Sequence, residues 1–142
     1  MKIRDVMTSE VQTVGPDQTA QEAAAFMLSS DAGSIPVTEG EKLIGMITDR
    51  DIAIRGVAKG HGPDTPVREL MTSGIVSVSI EEDIDAVASK MSEAQVRRLP
   101  VVDEQQRLCG IVSLGDLSRE SDGEQAHQAL EGVSASDGEQ NQ

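Results

Sequence analysis

The sequence predicts an α+β fold: two β-α-β-β-α repeats packed sheet to sheet with pseudo-twofold symmetry. Three observations predict it. First, a set of short motifs recurs at a nearly fixed offset. "IRDVMTSEVQTV" from Ile3 returns as "VRELMTSGIVSV" from Val67, which puts Met7-Thr8-Ser9 and Met71-Thr72-Ser73 64 residues apart. Pro36 in "SIPVT" and Pro100 in "RLPVVD" keep that offset, while Gly45 and Gly110 stand 65 apart. A period this long, present only twice, is a duplicated domain rather than a short solenoid. Second, each copy runs through strand-type and helix-type patterning in the same order. Third, a three-stranded sheet with helices on one face cannot bury both of its surfaces, and two copies packed sheet to sheet can.

Each copy opens on a short extended piece, "VQTV" or "IVSV". A helix follows. In "DQTAQEAAAFMLSS" Thr19 and Glu22 stand in capping-box spacing, and in "EEDIDAVASKMSEAQ" Ile84, Val87, Ala88 and Met91 fall on one helical face. Acidic residues crowd both helix starts, as the helix dipole favours. Two strands come next, "SIPVT" with "KLIGMIT" and "RLPVVD" with "RLCGIVS", joined by turns at Glu39-Gly40-Glu41 and Glu104-Gln105-Gln106. A last helix is expected to begin at Asp49 in one copy and Asp116 in the other. The first repeat is read as residues 1–58, a Gly/Pro-rich linker as 59–66, the second repeat as 67–120, and 121–142 as an acidic polar tail whose composition reads as disordered.

Composition narrows the function classes. Phe26 is the only aromatic residue among 142, so the core is aliphatic and no base-stacking platform for single-stranded nucleic acid is available. Twelve basic residues against 25 acidic give a net charge of −13, which repels a polyanion, so nucleic acid is not an expected partner. The N-terminus has no apolar signal region and no run approaches the length of a membrane span, so no membrane partner and a cytoplasmic protein are expected. The single cysteine, Cys109, forms no internal disulfide and reads as a small buried hydrophobe.

The recurring "GMITDRDIAI" and "GIVSLGDL" carry the chemistry. Thr48 at a strand end caps the next helix, whose first backbone N–H groups, those of Arg50 and Asp51, are expected to point outward as an anion site. Asp51, one turn in, can accept hydrogen bonds from both hydroxyls of a ribose cis-diol. Ser113 and Asp116 repeat the arrangement. Ser/Thr-x-x-Asp is also close to a capping box, which needs no ligand.

The ordered recurrence of Met-Thr-Ser, a Val-rich strand, a helix, "IPV" or "LPVV", and Gly-x-x-Thr/Ser-x-x-Asp over residues 1–120 resembles a tandem cystathionine-β-synthase (CBS) domain pair, or Bateman module, of the small stand-alone bacterial kind. The resemblance implies a regulatory module that binds an adenosine-containing ligand (AMP, ADP, ATP, or the related NAD or S-adenosylmethionine) in clefts between the repeats. It also implies a homodimer, and an unidentified protein partner in trans that reads the signal. Carried over by position, Asp51 and Asp116 would hold ribose, and Thr48, Ser113, Arg97, Arg98 and Arg50 phosphate. Met7, Gln12, Ala32, Gly33, Ser34 and Ile35 would face Ser113 and Asp116, and Met71, Val76, Val96, Arg97 and Arg98 would face Thr48 and Asp51. The two sites are unequal, because bulky, charged Arg97 stands where the first copy has Gly33, and Leu114-Gly115 replaces Asp49-Arg50. Arg55 is a weaker phosphate candidate.

Two rival readings remain. A ligand-free structural or protein-interaction dimer with decayed sites is the alternative function. An enzyme is the less supported one: His61 lies in the linker, His127 in the tail, and neither stands at ligand spacing from Cys109 or an acid, so neither a metal site nor a catalytic group is expected.

Overall fold

The structure is a computed structural model that describes residues 1–120. The expected acidic tail, 121–142, lies outside the described residues, as does His127. The chain divides into two compact units, one of residues 12–75 and one of residues 1–11 together with 76 onward.

In the 12–75 unit, α1 (Ala20–Ser30) leads into an antiparallel hairpin of β1 (Ser34–Glu39) and β2 (Lys42–Thr48). The single α-turn α2 (Asp49–Asp51) then continues as a π-helix, Ile52–Gly56. The expected first strand, "VQTV", contracts to one parallel bridge, Val14 to Val37. Only Val14 exchanges bonds with the hairpin, N–H to Pro36 O at 3.1 Å and O from Thr38 N–H at 2.9 Å, before Gly15-Pro16 turns the chain away. The linker is hydrogen-bonded to the start of α1, with Ala20 N–H donating to Thr65 O and Gln21 N–H to Pro63 O.

The second unit contains β3 (Val78–Ser79), α3 (Ile84–Ala94), β4 (Arg98–Val102), β5 (Leu108–Ser113) and α4 (Leu114–Glu120), the full β-α-β-β-α order. Its sheet runs β3-β4-β5, parallel and then antiparallel. The last helix starts at Leu114, two residues before the expected Asp116. Ser113 is the residue equivalent to the cap Thr48, so both copies leave the strand at the same place.

The sequence repeat and the compact unit are different partitions of the chain. Ile3, fully buried, belongs to the core of the unit that contains the second copy's strands, with Val87, Met91, Leu99, Val112 and Leu117. Conversely, Val67 and Leu70 complete the core built around Val14, Ala23, Ile35 and Ile47. The exchanged pieces are short 3₁₀ turns, Ile3–Asp5 and Val67–Glu69, and the Met-Thr-Ser that follows each pairs with the Gly-containing strand of the other copy. Thr8 and Ile111 exchange two backbone bonds of 2.9 Å, and Thr72 and Met46 exchange bonds of 2.8 and 2.9 Å.

The capping box at α1 forms as expected. Thr19 accepts from the Glu22 N–H while Glu22 accepts from the Thr19 N–H. The Glu22 carboxyl is held below its ordinary value, first by the Gln18 amide and then by the Thr19 backbone and hydroxyl. At α3, Asp83 occupies the cap position but its side chain accepts no capping bond. Thr19→Ala is therefore expected to lower stability by about 1 kcal/mol in urea unfolding followed by circular dichroism, and Asp83→Ala by much less. Because a depressed carboxylate loses its hold as it protonates, the Thr19→Ala deficit should shrink as pH falls through the acidic range.

Candidate functional site

In both units the strand-to-helix corner is built the same way. In the 12–75 unit Ser34 pairs with Thr48 across the hairpin, and Asp49 N–H donates to Gly33 O at 2.9 Å. Thr48 Oγ1 accepts from Asp51 N–H, and Asp51 Oδ2 accepts from Thr48 N–H, both at 3.0 Å. In the other unit Arg98 pairs with Ser113, and Leu114 N–H donates to Arg97 O at 3.1 Å. Ser113 Oγ accepts from Asp116 N–H at 3.2 Å, and Asp116 Oδ2 accepts from Ser113 N–H at 2.9 Å. Asp116 is buried and Asp51 half-buried.

This corrects one expectation. The N–H groups of Arg50 and Asp51 do not point outward unpaired: Asp49 Oδ1 accepts the first at 2.8 Å and Thr48 Oγ1 the second. Short polar side chains beside a helix start satisfy its orphan donors without a ligand. Both Thr/Ser-x-x-Asp motifs are thus reciprocal capping boxes. The cap also fixes each carboxylate at the corner, and Asp51 Oδ1 lies 3.8 Å from Arg55 Nε.

The remaining candidates sort by unit and by what their side chains touch. Gln12, Ala32, Gly33, Ser34, Ile35, Thr48, Arg50, Asp51 and Met71 belong to one unit, and Met7, Val76, Val96, Arg97, Arg98, Ser113 and Asp116 to the other. Ile35 and Val96 turn their side chains into the aliphatic cores and are buried. Met7 and Met71 pack against those cores beside Gly110 and Gly45. Ser34 is buried, Gln12 is exposed and Val76 is largely exposed. Ala32 closes the end of α1 through its N–H to Met27 O at 3.0 Å.

The cations separate by position. Among the described residues Arg4 pairs with Glu81, Arg55 with Asp51, Arg68 with Asp17 and Arg107 with Asp103. The guanidinium groups of Arg50, Arg97 and Arg98 have no acidic partner among those residues, and all three stand at the strand-to-helix corners. In a chain with about twice as many acids as bases, leaving those positions unneutralised is a distinct charge pattern. One corner residue was not legible as a site residue. A Cβ at Gly33 would stand 3.1 Å from Asp49 Oδ2, so the glycine is what lets that carboxylate lie over the strand.

Paired α+β units with matching strand-to-helix corners define the class, a tandem-repeat module. The CBS domain family model matches residues 3–56 and 67–123, and the chain belongs to that family. It is 45% identical over 133 residues to the CBS domain-containing protein YhcV of Bacillus subtilis (strain 168), covering 93% of this chain and 94% of YhcV. It superposes on the crystal structure of Hypoxic Response Protein I with two coordinated zinc ions at a TM-score of 0.77 and 39% identity, covering 86% of this chain and all of that one; the protein of that name is from Mycobacterium tuberculosis. The CBS domain pair of protein MJ0100, in complex with 5′-methylthioadenosine and S-adenosyl-L-methionine, matches at a TM-score of 0.71 and 30% identity, covering 84% of this chain and 94% of that one. Among the described residues of this chain no group of three or more His, Cys, Asp or Glu is placed to hold a metal ion. No described helix is long and apolar enough to cross a membrane.

Proposed function

We propose that this protein is a regulatory module that binds an adenosine-containing ligand and carries out no reaction on it. The observation that carries the reading is a cap-fixed carboxylate at each corner (Asp51 and Asp116) together with three arginines that have no acidic partner among the described residues (Arg50, Arg97, Arg98). A fixed carboxylate suits the two hydroxyls of a ribose, and guanidinium forks suit phosphate oxygens. Adenosine compounds in the related MJ0100 pair support the base and sugar. With aliphatic surroundings and a single Phe, the base would be held by backbone groups and aliphatic side chains such as Met7 and Met71. AMP, ADP, ATP, NAD and S-adenosylmethionine all present the ribose this chemistry needs. Binding would act by favouring one arrangement of the protein over another in proportion to its differential affinity, with a protein partner as the reader. The absence of catalysis is part of the proposal.

The test is adenosine-ligand titration by calorimetry on Asp51→Asn and Asp116→Asn, variants that keep an acceptor for the cap. Losing a charge-assisted pair of hydrogen bonds is expected to weaken binding by about 10- to 100-fold at the affected site. Unchanged affinity in both variants would make the ribose assignment wrong.

A second reading, an interaction dimer without ligand, draws on one observation. Leu28 on α1 and Val57 after the π-helix are 85% and 71% exposed, and Val57 lines a pocket of about 310 Å³ with Ala20, Gln21, Ala24, Ile52, His61 and Leu70. Such a patch on an acidic protein suits a second copy of the chain. Leu28→Glu is expected to turn a homodimer into monomer in light scattering, and a wild-type protein that is monomeric at every concentration would remove this surface from the proposal.

A further inference from the structure

The two corners share a backbone hydrogen-bond pattern and differ in the charges they carry. The bond from Asp49 N–H to Gly33 O has its counterpart in the bond from Leu114 N–H to Arg97 O, so Asp49 answers to Leu114 and Gly33 to Arg97. Where one corner presents the exposed Arg97 beside the apolar Leu114, the other presents a bare strand under the Asp49 carboxylate, with the exposed Arg50 next along the chain.

That carboxylate is half used. Asp49 Oδ1 accepts the Arg50 N–H, and Oδ2 lies over Gly33 with no donor among the described residues. The neighbouring Arg50 does not close an ion pair with it. An exposed carboxylate oxygen without a donor repels a phosphate and attracts a cation or an N–H or O–H donor. A side chain at Gly33 would meet Oδ2 at 3.1 Å, so glycine and aspartate act as a pair at this place.

We propose that Asp49 is a specificity-determining residue: the adenosine site that includes Gly33 selects nucleosides whose 5′ group is neutral or cationic, a thioether or a sulfonium, over 5′-phosphates, which belong to the site that includes Arg97 and Arg98. This rests on the adenosine-binding reading above and adds the chemical class of the 5′ substituent at each site. It also accounts for the place where the duplication departs from its own pattern. The copies differ at Gly33 against Arg97 and at Asp49 against Leu114, and in each copy the two residues are joined by one backbone bond.

The experiment is competition calorimetry with AMP, 5′-methylthioadenosine and S-adenosylmethionine on wild type, Asp49→Asn and Asp49→Leu, at low and high salt. Asn keeps the acceptor for the Arg50 N–H, and Leu is the residue the other copy already tolerates at this corner. Removing the charge is expected to move affinities in opposite directions, AMP tighter by about fivefold and S-adenosylmethionine weaker by a similar factor. Both changes should shrink at about 1 M salt, where the screening length falls to about 3 Å. A merely structural role for Asp49 would move all three ligands the same way and without salt dependence, and that result overturns the proposal. Unchanged ratios in both variants overturn it as well. If no adenosine compound binds wild type, the adenosine reading falls and this one with it. If the compounds bind but Asp49 does not sort them, only this inference fails.

Discussion

One methyl group added at Gly110 is expected to lower the unfolding free energy by about 2–4 kcal/mol. A Cβ there would stand 2.5 Å from the Thr8 carbonyl oxygen and 2.9 Å from Met7 Sδ. The sulfur, on a flexible side chain, can move; the carbonyl cannot, because Thr8 is tied to Ile111 by two backbone bonds of 2.9 Å and its segment is anchored by the buried Ile3. Either β5 bends or the Met-Thr-Ser segment lifts off. Overpacking of this kind costs about 1–3 kcal/mol, and each backbone bond lost adds about 1. Gly45 repeats the geometry, with a Cβ 2.6 Å from Thr72 O and 3.1 Å from Met71 Sδ, so Gly45→Ala should behave alike. Gly15→Ala is the control: its Cβ would meet nothing closer than 3.9 Å, and a change within about 0.5 kcal/mol is expected. Urea unfolding followed by circular dichroism measures all three, and a Gly110→Ala protein as stable as Gly15→Ala would refute the Thr8–Ile111 pairing.

Those glycines show where sequence reasoning reached and where it stopped. The repeat of Met-Thr-Ser and of Gly-x-x-Thr/Ser was visible, but a repeat says what recurs, not what it touches. That each Met-Thr-Ser docks on the other copy's glycine strand is a pairing across dozens of residues, which no local period encodes. Helices α1 and α3 were legible because caps and a 3.6-residue period are local signals. The first strand of copy one was over-read, since a single bridge at Val14 leaves the same alternating pattern as a longer ladder. At the corners the Thr48/Asp51 and Ser113/Asp116 spacing was recognisable, while the outward N–H groups were not there, because Asp49 and Thr48 take them first. The available signal for Asp49 was the lapse of the repeat itself at Leu114.

Leu99→Ala is expected to cost about 3 kcal/mol, within the roughly 2–5 seen for burying a void in place of Leu. Leu99 is fully buried on β4, the middle strand of β3-β4-β5, and faces a core of Met91, Val101, Val112 and Leu117 that contains no aromatic ring. Aliphatic side chains leave a gap that Met91, with its flexible chain, can partly fill, which places the cost below the top of the range. Leu99→Met nearly conserves volume and should lose less than about 1.5 kcal/mol. The pair also links core to site. Arg98 is the next residue on β4 and pairs with Ser113, so the strand that positions the arginines is held in register by Leu99 from the other side of the pleat. Under conditions where Leu99→Ala is still folded, AMP should bind it more weakly than wild type, while Leu99→Met should bind near normally. Equal AMP affinity for Leu99→Ala and wild type would mean that the Arg97–Arg98 corner holds its shape through the hairpin bonds alone.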